Sequence, residues 1–156
     1  MYRKPTFLFI SVCVSCLFSV AQKDVSLHEL TEMNGKKYYS TIPFTGLASD
    51  YYNNGNKKEQ IAYKDGLLNG HYYIYYPNAA IKDKKTYSRN KQEGKHVSYH
   101  ENGKKESIGL HKEGKREGKW KWWHENGQLR MESTFKANKY YGICNVYAED
   151  GSFLGG

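Results

Sequence analysis

Residues 118–142 read GKWKWWHENGQLRMESTFKANKYYG, and the glycines at its two ends set the reading of the whole chain. Glycine recurs at 46, 70, 94, 118 and 142, each 24 residues after the last. Self-similarity at a fixed period of this size marks a repeat architecture and takes precedence over local propensity. The units are 46–69, 70–93, 94–117 and 118–141, followed by a truncated unit 142–156. Five residues past each start glycine stands an aromatic: Tyr51, Tyr75, Tyr99, Trp123 and Tyr147. Eight and nine past it come Asn54-Gly55, Asn78-Ala79, Asn102-Gly103, Asn126-Gly127 and Asp150-Gly151. A column seventeen past reads Tyr63, Tyr87, His111 and Phe135; one twenty past reads Gly66, Asn90, Gly114 and Asn138.

Each column has a mechanical meaning. Asn-Gly and Asp-Gly are the strongest short hairpin signals, because both residues tolerate positive φ. The Gly/Asn column marks a second left-handed backbone position. Every unit therefore has two turns and two strands, with no room for a helix. The expected fold is all-β: an elongated antiparallel meander of stacked β-hairpin repeats with a 24-residue period. Ala79 is the one weak turn residue, and after Pro77-Asn78 a longer type I turn would serve. The first turn is either a two-residue loop or a three-residue loop with a bulge, and that choice exchanges the two faces of every strand. The ladder Tyr51, Tyr75, Tyr99, Trp123 and Tyr147 reads first as the structural core of the stack, since one hairpin alone does not fold and a row of rings makes the array cooperative. Upstream, residues 22–45 read as an irregular N-terminal hairpin around Asn34-Gly35, of the atypical kind that caps repeat arrays.

Residues 114–133, GKREGKWKWWHENGQLRMES, and 94–109, GKHVSYHENGKKESIG, resemble the MORN-repeat variant family, whose units look like G-x-W-x-x-Y-x-x-N-G-x-x. Residues 43–60, PFTGLASDYYNNGNKKEQ, are similar to the entry unit of bacterial members. The second unit, with Pro77 and Ala79, and His111 in its aromatic column depart from the pattern. The resemblance implies a stack of β-hairpins serving as an interaction platform, with lipid or protein partners; some bacterial members carry an antitoxin label.

Composition sets the class of partner. The chain has 156 residues, 26% of them charged, and a mean hydropathy of −0.85. Its 15% aromatic content, including 15 tyrosines, argues for extended sheet rather than disorder, since such rings pack on a pleated surface and keep a polar tip wet. Tyr2-Arg3-Lys4, an apolar run from Phe7 to Val20 and the small residues Ser19-Val20-Ala21 have the layout of a secretory signal peptide over residues 1–21, with cleavage near Ala21. Cys16 follows Val14-Ser15 but has Cys13 where a lipoprotein signal has leucine, and retention as an anchor is disfavoured by the short apolar run. Loss of Arg3 and Lys4 leaves 22 basic and 16 acidic residues, a net charge of about +6 with neutral histidines. This favours an anionic partner, while export argues against nucleic acid. Only Cys144 would remain, ruling out an intrachain disulfide.

The candidate binding surface is Trp120, Lys121, Trp122, Trp123 and His124, joined by His100 one unit earlier. Alternation puts Trp120, Trp122 and His124 on one face and Lys121 with Trp123 on the other. Exposed aromatics beside a lysine are typical contact residues. No serine elbow, His-Glu helix motif or spaced acidic pair points to catalysis, and no Cys/His spacing to a metal or cofactor. The expected function is an exported, non-enzymatic binding or scaffold module at the cell envelope, for a protein, glycan or lipid head group. The alternatives are an enzyme acting on envelope polymer beside Trp120–His124, and an immunity-like protein that neutralises a partner. Open sheet edges would also permit self-association.

Overall fold

The computed structural model describes residues 24–156; the expected signal peptide lies outside them. The described chain contains fifteen strands and no α-helix. Before the array come β1 (Asp24–Ser26), a 3₁₀ turn (Leu27–Glu29), β2 (Leu30–Met33), β3 (Lys36–Tyr39) and β4 (Ile42–Pro43). The array comprises β5 (Gly46–Tyr51), β6 (Lys57–Lys64), β7 (Leu67–Tyr75), β8 (Ile81–Ser88), β9 (Lys91–Gln92) and β10 (Gly94–Tyr99). It continues through β11 (Lys105–Lys112), β12 (Lys115–Trp123), β13 (Leu129–Lys136), β14 (Lys139–Tyr147) and β15 (Phe153–Gly155). From β5 onward the strands pair antiparallel in chain order, the expected meander of hairpins, with the two-residue β9 pairing only β8. Strand β1 departs from it: it runs parallel along the outer edge of β5, while β2, β3 and β4 form a separate three-stranded sheet. The N-terminal segment is thus more than the single irregular hairpin expected of it.

The Asn-Gly turn is the three-residue loop with a bulge. At the fourth unit Gly127 N donates to His124 O at 2.9 Å, and His124 N donates to Gln128 O at 2.9 Å. Only the glycine has positive φ, +92°, so the asparagine is not there to supply a second left-handed residue. Its side chain does other work: Asn126 Oδ1 accepts from Gln128 N at 2.8 Å, and Nδ2 donates to Glu149 O of the next unit at 2.7 Å. The second turn is the tight two-residue kind with both φ positive, as at Glu113 (51°) and Gly114 (79°). Two turn types alternate, and together they fix the register left open by the sequence.

That register explains the start glycine. Gly46, Gly70, Gly94 and Gly118 pair directly with Tyr63, Tyr87, His111 and Phe135, the residues seventeen further on. The ring lies across a strand position that has no side chain to compete with it. The column two past each glycine lies on the same face and includes Tyr72, His96 and Trp120. These two columns hold the core. Phe44 and Tyr63 pack with Val25, Leu30, Ala48 and Ile61 under the small N-terminal sheet. Farther along, Trp120 is 1% exposed and meets Phe135 edge-on at 6.2 Å, while Phe135 packs on Tyr140 at 4.7 Å. Burying a ring of this size is worth about 3 kcal/mol. The ladder Tyr51 to Tyr147 lies on the other face: Tyr51 is 50% exposed, and Tyr75, Tyr99, Trp123 and Tyr147 are partly buried. The expectation that it forms the core is corrected: the three-residue loop shifts the pairing so that the start-glycine face is the buried one.

Candidate functional site

The uncovered face is built from alternate residues of β7, β10 and β12 and the strands between them. On β7 it carries His71, Tyr73 and Tyr75, with ring centroids 5.6 Å and 6.3 Å apart in succession. Lys84 of β8 holds its ammonium 5.4 Å from the Tyr73 ring. On β10 alternation places Lys95 and Tyr99 here, with Val97 buried between them, and on β12 Lys119, Lys121 and Trp123. Glu132 of β13 is the acidic residue among them; it accepts from Asn145 at 3.2 Å and pairs with Lys121 at 3.3 Å, which together hold its carboxyl below the usual range. Lys84, Lys95 and Lys119 are exposed. The face is basic and ringed with partly exposed aromatics, a chemistry suited to anionic, ring-bearing or headgroup-like partners.

The structure divides the predicted surface residues between two faces. Trp120 is not a contact residue. Its indole Nε1 donates to Leu110 O at 3.1 Å, its ring lies against the backbone of Gly109, and His111 meets it edge-on at 5.1 Å. Trp122 stacks on it at 5.6 Å, and the Arg116 guanidinium covers both rings and Phe135 at 4.9–6.0 Å. Lys121 and Trp123 face outward, on the basic face. His100 and His124 are structural: their Nε2 atoms meet Trp123 O at 2.9 Å and Tyr147 O at 3.0 Å. Tyr52 and Tyr76 occupy the same column, their hydroxyls donating to Tyr75 O at 2.7 Å and Tyr99 O at 2.9 Å. The column thus joins each unit to the next through a ring-borne polar group.

Sequence reasoning passed over Tyr73, Lys84, Lys95 and Lys119. The recurrence of Lys95 and Lys119 one period apart was the available signal, but it acquires meaning only once the loop length assigns them to the open face. The core side holds a second polar cluster. His96 Nε2 contacts Asp83 Oδ1 at 2.9 Å, and its ring lies 5.6 Å from His111. Burial, then the nearby His96 and Arg116, push the His111 imidazole down to about 4. Burial opposes the ionisation of Asp83, but the His96 hydrogen bond and Lys85 outweigh it and hold the carboxyl below its usual value.

Comparison with curated proteins gave no match. Residues 44–65, 92–113 and 116–137 each match the model of the MORN repeat variant. The stretch between the first two matches contains the unit with Pro77 and Ala79, and the structure folds it into the same two-turn hairpin. Three units of this continuous 24-residue array are thus matches to the MORN repeat variant.

Proposed function

We propose that the protein is an exported, non-enzymatic binding module of the cell envelope, holding an anionic partner against its basic aromatic face. The observation that carries this reading is the inequality of the two faces. One is closed by its own rings and the small N-terminal sheet; the other leaves Tyr73, Tyr75, Tyr99 and Trp123 partly exposed among Lys84, Lys95, Lys119 and Lys121. A repeated platform suits a polymeric or laterally extended partner, since equivalent groups recur at roughly 9.6 Å from unit to unit. The layout of residues 1–21 supports export. A binding role rather than chemistry is supported by His100 and His124, whose Nε2 atoms are committed to backbone carbonyls.

The test expresses the full chain in a bacterium, fractionates the cells and measures co-sedimentation with isolated envelopes. The reading predicts recovery outside the cytoplasm and pelleting that weakens as salt rises. Changing Lys84, Lys95 and Lys119 together to Glu should lower pelleting by roughly tenfold or more without unfolding the sheet, because these side chains are exposed. Cytoplasmic retention, or undiminished pelleting by the variant, would overturn it.

A further inference from the structure

We propose that Asn34-Gly35 is a site of spontaneous modification in the folded chain, where Asn34 loses ammonia through a cyclic imide and becomes aspartate or isoaspartate. The chemistry makes three demands of an Asn-Gly step. The side-chain amide must be free to be attacked, the next backbone nitrogen must be free to attack it, and no Cβ may crowd the approach. The sequence has five such steps, at Asn34, Asn54, Asn69, Asn102 and Asn126. The dipeptide is the same in all of them, and the fold makes them unequal.

In the array's bulged loop every reacting group is held. Asn54, Asn102 and Asn126 each donate Nδ2 to a carbonyl of the next unit, at 2.8, 2.9 and 2.7 Å. Each Oδ1 accepts from the backbone nitrogen two residues on, at 3.0, 3.0 and 2.8 Å. The nitrogens of Gly55, Gly103 and Gly127 donate to Tyr52 O, His100 O and His124 O, all at 2.9 Å. Asn69-Gly70 lies inside β7, whose extended backbone is fixed by β6 on one side and β8 on the other. Asn34-Gly35 puts the same residue pair into the other class of turn. It is the two-residue link between β2 and β3, with φ of 51° and 72°, the geometry of Asp65-Gly66 and Glu113-Gly114. In the array that turn too is tied down: Gly66 N donates to Phe44 O at 2.8 Å and Gly114 N to Gln92 O at 2.9 Å. Among the described residues Gly35 N has no such acceptor, and the Asn34 amide has no partner. Both residues are exposed, and the space that a Cβ on Gly35 would take is empty.

In the reaction Gly35 N gives its proton to water and bonds to Asn34 Cγ, and Nδ2 leaves as ammonia. Water then opens the ring. Opening at Cγ leaves aspartate with the main chain unchanged. Opening at the main-chain carbonyl leaves isoaspartate, whose backbone runs through Cβ and Cγ and is a methylene longer. Gly35 O receives Asn90 Nδ2 at 3.1 Å, and nearby Lys37 N donates to Gly66 O at 2.8 Å. The longer backbone therefore disturbs the tie between the small sheet and the array, loosening the cover over Phe44 and Tyr63.

The test holds the full chain in mildly alkaline heavy-oxygen water, folded and in parallel in urea, and follows each Asn-Gly peptide by mass spectrometry. In the folded chain Asn34 should convert roughly tenfold or more faster than the other four, which wait on local opening of their hydrogen bonds. In urea the five rates should draw together. Aspartate and isoaspartate should both appear at Asn34, carrying solvent oxygen. The isoaspartate fraction should melt below the Asn34→Asp variant, which carries the same charge on an unaltered backbone. Conversion at Asn34 no faster than at the array turns overturns the proposal, as does aspartate without isoaspartate. Equal melting of the isoaspartate fraction and the variant overturns the loosening of the cover.

Discussion

Ala79 carries its backbone at φ +65°, where the other four units place glycine. The left-handed region costs a residue with a Cβ roughly 1–2 kcal/mol. Ala79→Gly should therefore raise stability by about 1 kcal/mol in a denaturant titration; unchanged or lower stability would show that the turn is not strained there. Gly109 is the reverse case. A Cβ built on it falls within the ring of Trp120, whose face is laid on that backbone. Gly109→Ala should cost about 3 kcal/mol and expose the indole, seen as a red-shifted tryptophan emission. His111 gives a pH dependence with a definite sign. Its folded value, about 4, lies below the ordinary 6.5, so the unfolded chain takes the proton first. The stability it supports is present above pH 6.5 and falls as the pH drops through about 4. His111→Phe, which copies Phe135 in the same column, should flatten melting temperature against pH across that window relative to the native chain. An equal slope in both would place the titration elsewhere.

At the scale of the hairpin, cohesion comes from polar ladders as much as from rings. Asn54, Asn102 and Asn126 donate to the carbonyls of Pro77, Glu125 and Glu149, each one unit on. Tyr52, Tyr76, His100 and His124 form a parallel ladder one step inside the sheet. His124→Ala should cost about 1–2 kcal/mol, and His124→Tyr should restore most of it by substituting the group used in the first two units. Equal losses from the two changes would remove the ladder from the account. The period, the turns and the strand count were legible in the sequence, because Asn126-Gly127 and its equivalents have few other uses. The choice of face was not. One residue more or less in the loop exchanges Trp120 with Trp123, and nothing in GKWKWWHENGQ distinguishes a bulged three-residue loop from a two-residue one. Alternation alone therefore makes Trp120 a contact, because Gly109, whose bare backbone seats it, lies on the neighbouring strand. The partners of His100 and His124 are equally illegible in the sequence, being carbonyls 23 residues away.

Over the whole molecule, one long sheet carries two different surfaces. The core face is deepest at the N-terminal end, where the three-stranded sheet closes over Phe44, Ile61 and Tyr63, and it is renewed around Trp120 by Arg116 and Phe135. The opposite face keeps its rings partly in water beside a row of lysines. Binding, on this account, belongs to the second face and stability to the first. The most direct measurement uses single-tryptophan forms, with the other two tryptophans changed to Phe, and acrylamide quenching of fluorescence. Trp120 alone should be shielded from the quencher and Trp123 alone readily quenched. Equal quenching of both, or a protected Trp123 with an accessible Trp120, would contradict the assignment of the two faces.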